Sequence, residues 1–196
     1  MPEPPDNSVH PGSRAAWRAW LEAHHAHSEG VWLVLNKKAS GQPCLSRDDV
    51  VEEAIAFGWI DSVQKPLDEH RSMQWVSPRK RGSGWSRLSK ERAERMAESG
   101  RLTEAGHAVI EAAQDDGSWA LFDDAEALVV PDDLTDAFDA RPPARDHWDA
   151  FPPSTRRAIL QWILLAKRAP TRAKRIEETA RLAQKNERAN QWPRSK

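Results

Sequence analysis

Aromatic, acidic and basic side chains are concentrated between Trp59 and Ser86, and this stretch holds the residues best suited to bind a ligand. A guanidinium group forms paired hydrogen bonds with a phosphate or carboxylate, an indole face stacks against a flat or cationic group, and glycines let backbone N–H groups approach an anion. The stretch therefore predicts a cleft for a small anionic ligand. The candidate ligand-binding residues are Trp59, Asp61, Lys65, Arg79, Trp85 and Ser86.

The same side chains also have a purely structural interpretation. Asp61 and Asp68 would then form ordinary ion pairs with Arg79 or Lys65, while Trp59 and Trp85 fill the core. In the ligand hypothesis, Asp61 instead orients the guanidinium of Arg79 toward the anion. Asp61 is also the one acid–base candidate if the cleft were catalytic, and no other catalytic residue is assigned.

Familiar catalytic and metal-binding patterns do not occur in the chain. The segment from Gly82 to Ser86 matches neither a nucleophile elbow nor a phosphate-binding loop. His24 and His25 are adjacent, and neighbouring residues of a helix point about 100° apart, so the two imidazoles diverge. Cys44 is the only cysteine, which excludes an intrachain disulfide and a thiolate cluster. We therefore expect no metal and no cofactor.

Charge is segregated along the second half of the chain. Residues 115–149 contain 11 acids and 2 bases, whereas residues 154–196 contain 12 bases and 3 acids. The simplest interpretation is that the two segments neutralise one another, within a monomer or across a homodimer. The weaker alternative is binding of nucleic acid or another phosphate polymer through the basic loop and tail, although no nucleic-acid motif accompanies them.

Hydropathy restricts the location of the protein. No run approaches the roughly 18 apolar residues that span a bilayer, and the first residues lack the basic and apolar regions of a signal peptide. We therefore expect a cytoplasmic protein without membrane insertion. A third function class, a protein-interaction module, would require a large exposed apolar patch.

Periodicity, caps and glycines predict an α+β fold that is mainly helical, with a small antiparallel sheet in the N-terminal half packed on helices and a helical C-terminal half. Residues 1–12 contain four prolines and no hydrophobic periodicity, so we expect a disordered leader. A single domain is predicted over 13–190, helical from about 89, with a flexible tail at 191–196. The predicted strands are 31–36, 59–63 and 72–76, and the predicted helices are 13–27, 46–57, 89–99, 103–115, one after Pro131, one around Trp148, 154–168 and 170–189.

Six short strings occur in order along the chain: Gly58-Trp59-Ile60-Asp61, Pro78-Arg79, Trp85-Ser86, Gly100-Arg101 with Ala105-Gly106, Asp116-Gly117-Ser118-Trp119, and Thr171-Arg172 with Lys174-Arg175-Ile176. Their order and spacing resemble the YdeI/OmpD-associated family of bacterial proteins, sometimes labelled bacteriocin-protection proteins. The resemblance covers about residues 13–182. It implies a link to resistance against antimicrobial peptides or envelope stress, and it supplies no reaction, cofactor or catalytic residue.

Overall fold

Side-chain caps and a turn glycine set the first element boundaries in the computed structural model, which describes residues 3–191. The Ser13 hydroxyl accepts a hydrogen bond from the backbone of the first helix, and Ser46 and Asp49 form a reciprocal capping box at the start of the second. Gly58 has φ +72°, a conformation that favours glycine, and it turns the chain from the second helix into the next strand.

Backbone contacts divide the chain into two compact units, residues 1–121 and residues 122–196. The prediction of one domain over 13–190 stays a prediction. In the first unit the described elements are β1 (Ser8–Val9), α1 (Arg14–His24), β2 (Val31–Asn36), a short 3-10 helix (Lys38–Ser40), α2 (Arg47–Ala56), β3 (Trp59–Pro66), β4 (Arg71–Pro78), α3 (Arg87–Glu98) and α4 (Glu104–Asp115).

The four strands form one mixed sheet in the order β1-β2-β4-β3. The three long strands are antiparallel neighbours, with Trp32 opposite Trp75 and Trp59 opposite Pro78. This confirms the predicted fold class and the predicted antiparallel pair. The two-residue strand β1 runs parallel to β2, so the sheet is mixed and not purely antiparallel.

The prediction of a disordered leader is wrong for Ser8 and Val9. These residues pair with Trp32 and Leu33 of β2, and the Trp32 amide donates to the Asn7 carbonyl at 3.0 Å. Two residues are too few to show hydrophobic periodicity. The pairing depends on the open edge that β2 offers once the rest of the sheet has formed.

Helices α1 and α2 cover one face of the sheet and bury its core. Trp17, Leu33 and Val50 are 0% exposed and Trp59 is 1% exposed in one apolar cluster. The Trp17 indole N–H donates to the Val50 carbonyl at 3.1 Å, so this indole is buried with its polar atom satisfied.

A buried carboxylate ties the helices of this unit together. Glu53 of α2 is 0% exposed and pairs with Arg14 at 2.6 Å, with Arg18 at 2.9 Å and with Arg101. Burial by itself would raise the pKa of Glu53, but the hydrogen bonds from the three arginines outweigh it and hold the pKa below the ordinary value. The carboxylate is therefore ionised at neutral pH.

The second unit is helical throughout its described part. Its core includes Leu134, Phe138 and Trp148, and the last helix contributes Ile176 and Ala180. Trp148 is 0% exposed. The elements are α5 (Asp123–Glu126), α6 (Asp132–Asp139), α7 (Ala144–Ala150), α8 (Pro153–Leu164) and α9 (Ala169–Gln184).

Ion pairs confirm that the acidic segment and the basic tail lie close together. Inside the second unit, Arg157 pairs with Glu126 at 2.9 Å and Arg172 pairs with Asp133 at 2.8 Å. A longer contact of 3.7 Å joins Arg156 to Asp149. The packing of short helices therefore brings together opposite charges that lie in different segments of the sequence.

Some predicted boundaries were wrong. The last helix ends at Gln184, short of residue 189, and α8 ends at Leu164, short of residue 168. The predicted flexible tail lies outside the described residues except for Gln191. Within the described range, no helix combines the length and the apolar character needed to cross a membrane.

Candidate functional site

Arg79 and Trp85 form the centre of the candidate site. Arg79 directly follows β4, and its backbone N–H donates to the Gly58 carbonyl at 3.0 Å, which fixes the start of the loop beside the beginning of β3. The loop then returns Trp85, whose ring centroid lies 3.8 Å from the guanidinium carbon of Arg79. This is a close cation–π stack between two residues that are both almost completely buried.

The loop between these residues is held by a turn that follows α4. Asp116 accepts backbone hydrogen bonds from Gly82 at 3.2 Å and from Ser118 at 2.9 Å, and Trp85 donates its backbone N–H to the Ser118 carbonyl. The Ser118 side chain and the Ser118 backbone N–H both lower the pKa of Asp116. The buried Ser118 hydroxyl itself forms no hydrogen bond of regular geometry with a described residue. The Asp116 carboxylate is therefore negatively charged, and its hydrogen bonds hold the loop against this turn.

A cavity of about 140 Å³ lies between the loop and α4. One wall is the basic loop, and the other is the face of α4 that presents only alanine and valine side chains. The opening is flanked by the exposed cations Lys80 and Arg81. The lining residues are Arg79, Lys80, Arg81, Gly82, Ser83 and Trp85 from the loop, and Ala108, Val109, Ala112, Ala113, Asp116 and Ser118 from α4 and the following turn.

The guanidinium of Arg79 is a buried charge without an ion pair. Arg79 is 9% exposed, and its Nη1 donates to the carbonyls of Gly84 at 3.1 Å and Ser83 at 3.4 Å. Its buried Nε has no hydrogen-bond partner, and no carboxylate of residues 3–191 lies within ion-pair distance. Burial lowers the pKa of Arg79 to about 10, against the opposing charge of Asp61. Arg79 is therefore positively charged at neutral pH.

Other arginines with a buried, unbonded Nε differ from Arg79 in one respect. Arg101 pairs with Glu53, Arg156 with Asp149, and Arg157 with Glu126. Each of those charges is compensated by a carboxylate. Because a buried charge is costly unless it is paired, the uncompensated guanidinium of Arg79 marks a place where an external anion would be stabilised.

A second buried donor without a partner belongs to Trp85. This residue is 1% exposed, and its indole N–H has no hydrogen-bond partner among the described residues. Its ring lies 4.9 Å from that of Trp119, over which Lys90 places its ammonium group at 5.4 Å. The indole is therefore held by aromatic and cationic neighbours while its polar atom is left unsatisfied.

Close helix packing brings α4 to the cavity. The Thr103 hydroxyl donates to the Ala56 carbonyl at the end of α2 at 2.6 Å. A Cβ added to Gly106 would lie 2.4 Å from the same carbonyl oxygen, so only glycine allows the two backbones to approach this closely. The contact sets the position of Val109 and Ala112, which form the apolar wall.

Of the six predicted ligand-binding residues, the structure brings two, Arg79 and Trp85, to the cavity lining. Trp59 lies in the core, where its indole N–H donates to the His25 carbonyl at 3.3 Å. Asp61 accepts a hydrogen bond from Gln74 at 2.5 Å, which satisfies it within the sheet. The predicted convergence of Trp59 and Asp61 with Arg79 on one pocket is therefore not found.

The remaining two predicted residues have local structural roles. The Lys65 ammonium lies 5.2 Å from the ring centroid of Trp32 on the sheet. The Ser86 hydroxyl caps α3 by accepting from the Ser89 backbone at 3.2 Å. Neither residue is among those that line the cavity.

The sequence interpretation missed the half of the site that comes from α4 and its following turn. Two signals were available. The strings Ala105-Gly106 and Asp116-Gly117-Ser118-Trp119 had been noticed for their resemblance, without a role. The Ala- and Val-rich face of α4 was interpreted only as helix periodicity, because a helix face gives no indication of whether it meets the core or a cavity.

Fold and site together define an α+β domain with a basic, partly apolar cavity, followed by a helical unit. A family model described as Domain of unknown function (DUF8412) matches residues 9–109, just over half of the 196 residues, and the chain belongs to this family. A second model, described as Bacteriocin-protection, YdeI or OmpD-Associated, matches residues 127–186, so this domain is present in the helical unit. Searches of curated proteins and of solved structures gave no match.

The resemblance to the YdeI/OmpD-associated family is confirmed, but over a shorter range than predicted. Of the six strings, only the last, which includes Thr171-Arg172, falls within the matched residues 127–186. The strings from Gly58 to Gly106 fall within the other match. The cavity is thus built mainly from the DUF8412 region and the residues that directly follow it.

Proposed function

We propose that the first unit binds a small anionic ligand in the cavity between Arg79 and α4. The observation that supports this most is the buried, positively charged guanidinium of Arg79, which has no carboxylate partner and an unbonded Nε–H. It stacks on the ring of Trp85, whose indole N–H is also unbonded. Two buried donors with one net positive charge are complementary to an anion, and binding it would compensate their desolvation.

We propose that the cavity binds its ligand, and we assign no catalytic residue to it. Asp61, the one acid–base candidate of the sequence, is hydrogen-bonded to Gln74 and is not part of the cavity lining. The basic tail is a weaker candidate for the anion site, because Arg157 and Arg172 are engaged by acidic residues of their own unit. We therefore do not propose a nucleic-acid partner.

The biological setting is a further part of the proposal. The second family is described by bacteriocin protection, which favours a role in resistance to antimicrobial peptides or envelope stress. A cytoplasmic location is supported by the single, exposed cysteine, Cys44, which suits a reducing compartment. Survival of a deletion strain under bacteriocin challenge, with complementation by the Arg79→Met variant, would connect the cavity to that role.

The direct test is a thermal-shift and calorimetric titration of the full chain with acetate, benzoate, inorganic phosphate, sulfate and nucleotides. A ligand present at about 100 times its Kd should stabilise the protein by about 2.7 kcal/mol. The Arg79→Met and Trp85→Phe variants should lose this stabilisation. Arg47→Met removes an exposed arginine that pairs with Asp61 and does not line the cavity, so it should bind as the wild type does. The absence of saturable binding by every anion would overturn the proposal.

A further inference from the structure

The donor pattern and the apolar wall of the cavity narrow the class of ligand. We infer that the cavity accepts a small monocarboxylate with a short hydrocarbon or aromatic body, and not inorganic phosphate or a phosphate ester. This inference rests on the proposed function, because it specifies the anion that the Arg79 site binds.

Few donors remain for an anion at this site. The backbone N–H groups of Gly82 and Ser118 are both occupied by Asp116, and that of Ser83 donates to the Lys80 carbonyl at 3.1 Å. These three N–H groups are therefore not available to a phosphate, which is typically held by several converging backbone N–H groups. Among the buried side-chain donors of the lining, the Nε–H of Arg79, the indole N–H of Trp85 and the Ser118 hydroxyl have no hydrogen-bond partner, which is enough for the two oxygens of a carboxylate.

The charges that line the cavity also favour a monoanion. The guanidinium of Arg79 supplies one buried positive charge, while Asp116 is a fixed negative charge in the same cavity lining. The charge of Arg81 already acts on Asp116 and lowers its pKa. The other charged residues of the lining, Lys80, Arg81 and Asp116, are exposed and screened by solvent. One carboxylate therefore matches the single buried charge of Arg79.

The remaining wall accepts hydrocarbon. Ala108, Val109, Ala112 and Ala113 present only methyl and isopropyl groups from α4, and polar ligand atoms placed against them would lose their hydrogen bonds to water. The volume of about 140 Å³ is close to that of an engineered apolar cavity of roughly 150 Å³ that binds benzene. A ring or short chain of about six carbons therefore fits, with its carboxylate at the loop.

The test compares benzoate, acetate, inorganic phosphate and benzyl alcohol by calorimetry at neutral pH. Because the benzoate ring buries more apolar surface than a methyl group does, benzoate should bind at least about tenfold more tightly than acetate. In nitrogen–proton correlation spectra, the indole N–H signal of Trp85, assigned with Trp85→Phe, should shift during the benzoate titration.

Two variants separate the apolar wall from the charge. Ala112→Leu places a larger side chain in the space beside the apolar wall, so it should remove the preference for benzoate while acetate binding persists. Arg79→Met should remove the binding of both. Gln114→Leu adds the same side chain at an exposed position of α4 outside the lining, and it should leave both affinities unchanged.

The outcomes distinguish this inference from the proposed function. Phosphate binding more tightly than benzoate at the Arg79 site would overturn the monocarboxylate and leave the proposed anion site standing. Benzyl alcohol binding as tightly as benzoate would overturn both, since the charge would then be unnecessary. Failure of every anion to bind would also overturn both.

Discussion

The guanidinium of Arg79 stacks on the indole of Trp85 at 3.8 Å, and each residue has a buried N–H that no described residue accepts. Stacking stabilises the cation, but it does not satisfy the hydrogen bonds of either donor. The two side chains therefore hold each other in position, while each keeps an N–H group that could donate to a ligand. Trp148, in the core of the second unit, also has an indole N–H without a partner, so it is the unpaired charge of Arg79 that distinguishes this pair from a core aromatic residue.

Arg79→Met is expected to change the free energy of unfolding by no more than about 1 kcal/mol. Removing the charge loses the hydrogen bonds to Ser83 and Gly84, but it also removes the desolvation cost of an unpaired buried guanidinium. Urea denaturation of the ligand-free protein would measure the difference. A loss of several kcal/mol would show that Arg79 holds the loop together and is not reserved for a ligand.

Glu53→Gln is expected to destabilise the protein by about 3–5 kcal/mol, because it leaves Arg14, Arg18 and Arg101 without their buried counter-charge. The matched control is Glu91→Gln, which removes an exposed i,i+4 pair with Arg87 and should cost less than about 0.5 kcal/mol. Chemical denaturation of both variants would check the contrast. Equal effects would mean that the buried network contributes no more than a surface pair.

The same carboxylate should make stability depend on pH. The pKa of Glu53 is lower in the folded protein than its ordinary value of 4.5, so its contribution is present above that ordinary pKa and is lost as the pH falls through the folded-state pKa. Unfolding free energies measured from about pH 6 down to about pH 3 should fall less steeply for Glu53→Gln than for the wild type. Parallel curves would contradict the assigned shift.

Gly106→Ala is expected to destabilise the first unit by about 1–3 kcal/mol. Alanine favours a helix over glycine by about 1 kcal/mol, but its Cβ would meet the Ala56 carbonyl at 2.4 Å, and a backbone atom cannot rotate away. Gly12→Ala is the control, since nothing lies within 4 Å of its added Cβ. A Gly106→Ala variant that is more stable than the wild type would show that α2 and α4 pack less closely.

In the second unit, Ile176→Ala is expected to reduce the free energy of unfolding by about 2–5 kcal/mol. Ile176 is 7% exposed in the helical core, whereas Leu165 is 52% exposed. Leu165→Ala should therefore change stability by less than about 0.5 kcal/mol. Thermal and urea unfolding of the two variants would provide the comparison. Similar values would indicate that α9 is not packed on this core.

Much of the fold was predictable because the deciding interactions are local. The capping box of Ser46 and Asp49 and the turn at Gly58 involve residues that are near in sequence, and they place α2 and β3 correctly. The stack of Trp85 on Arg79 is also local, since six positions along one loop separate them. The sequence alone therefore determined the helical and strand periods, the first half of the site and the charge segregation.

What the tertiary structure decided depends on contacts between distant segments. Ser8 and Val9 became a strand because β2 offered an open edge, and Asp61 was satisfied by Gln74 across the sheet and not by Arg79. The apolar wall reached the loop because Gly106 lets α4 approach α2. Side-chain type specifies what a residue can bind, whereas partners far along the chain decide which of those capacities remain unused.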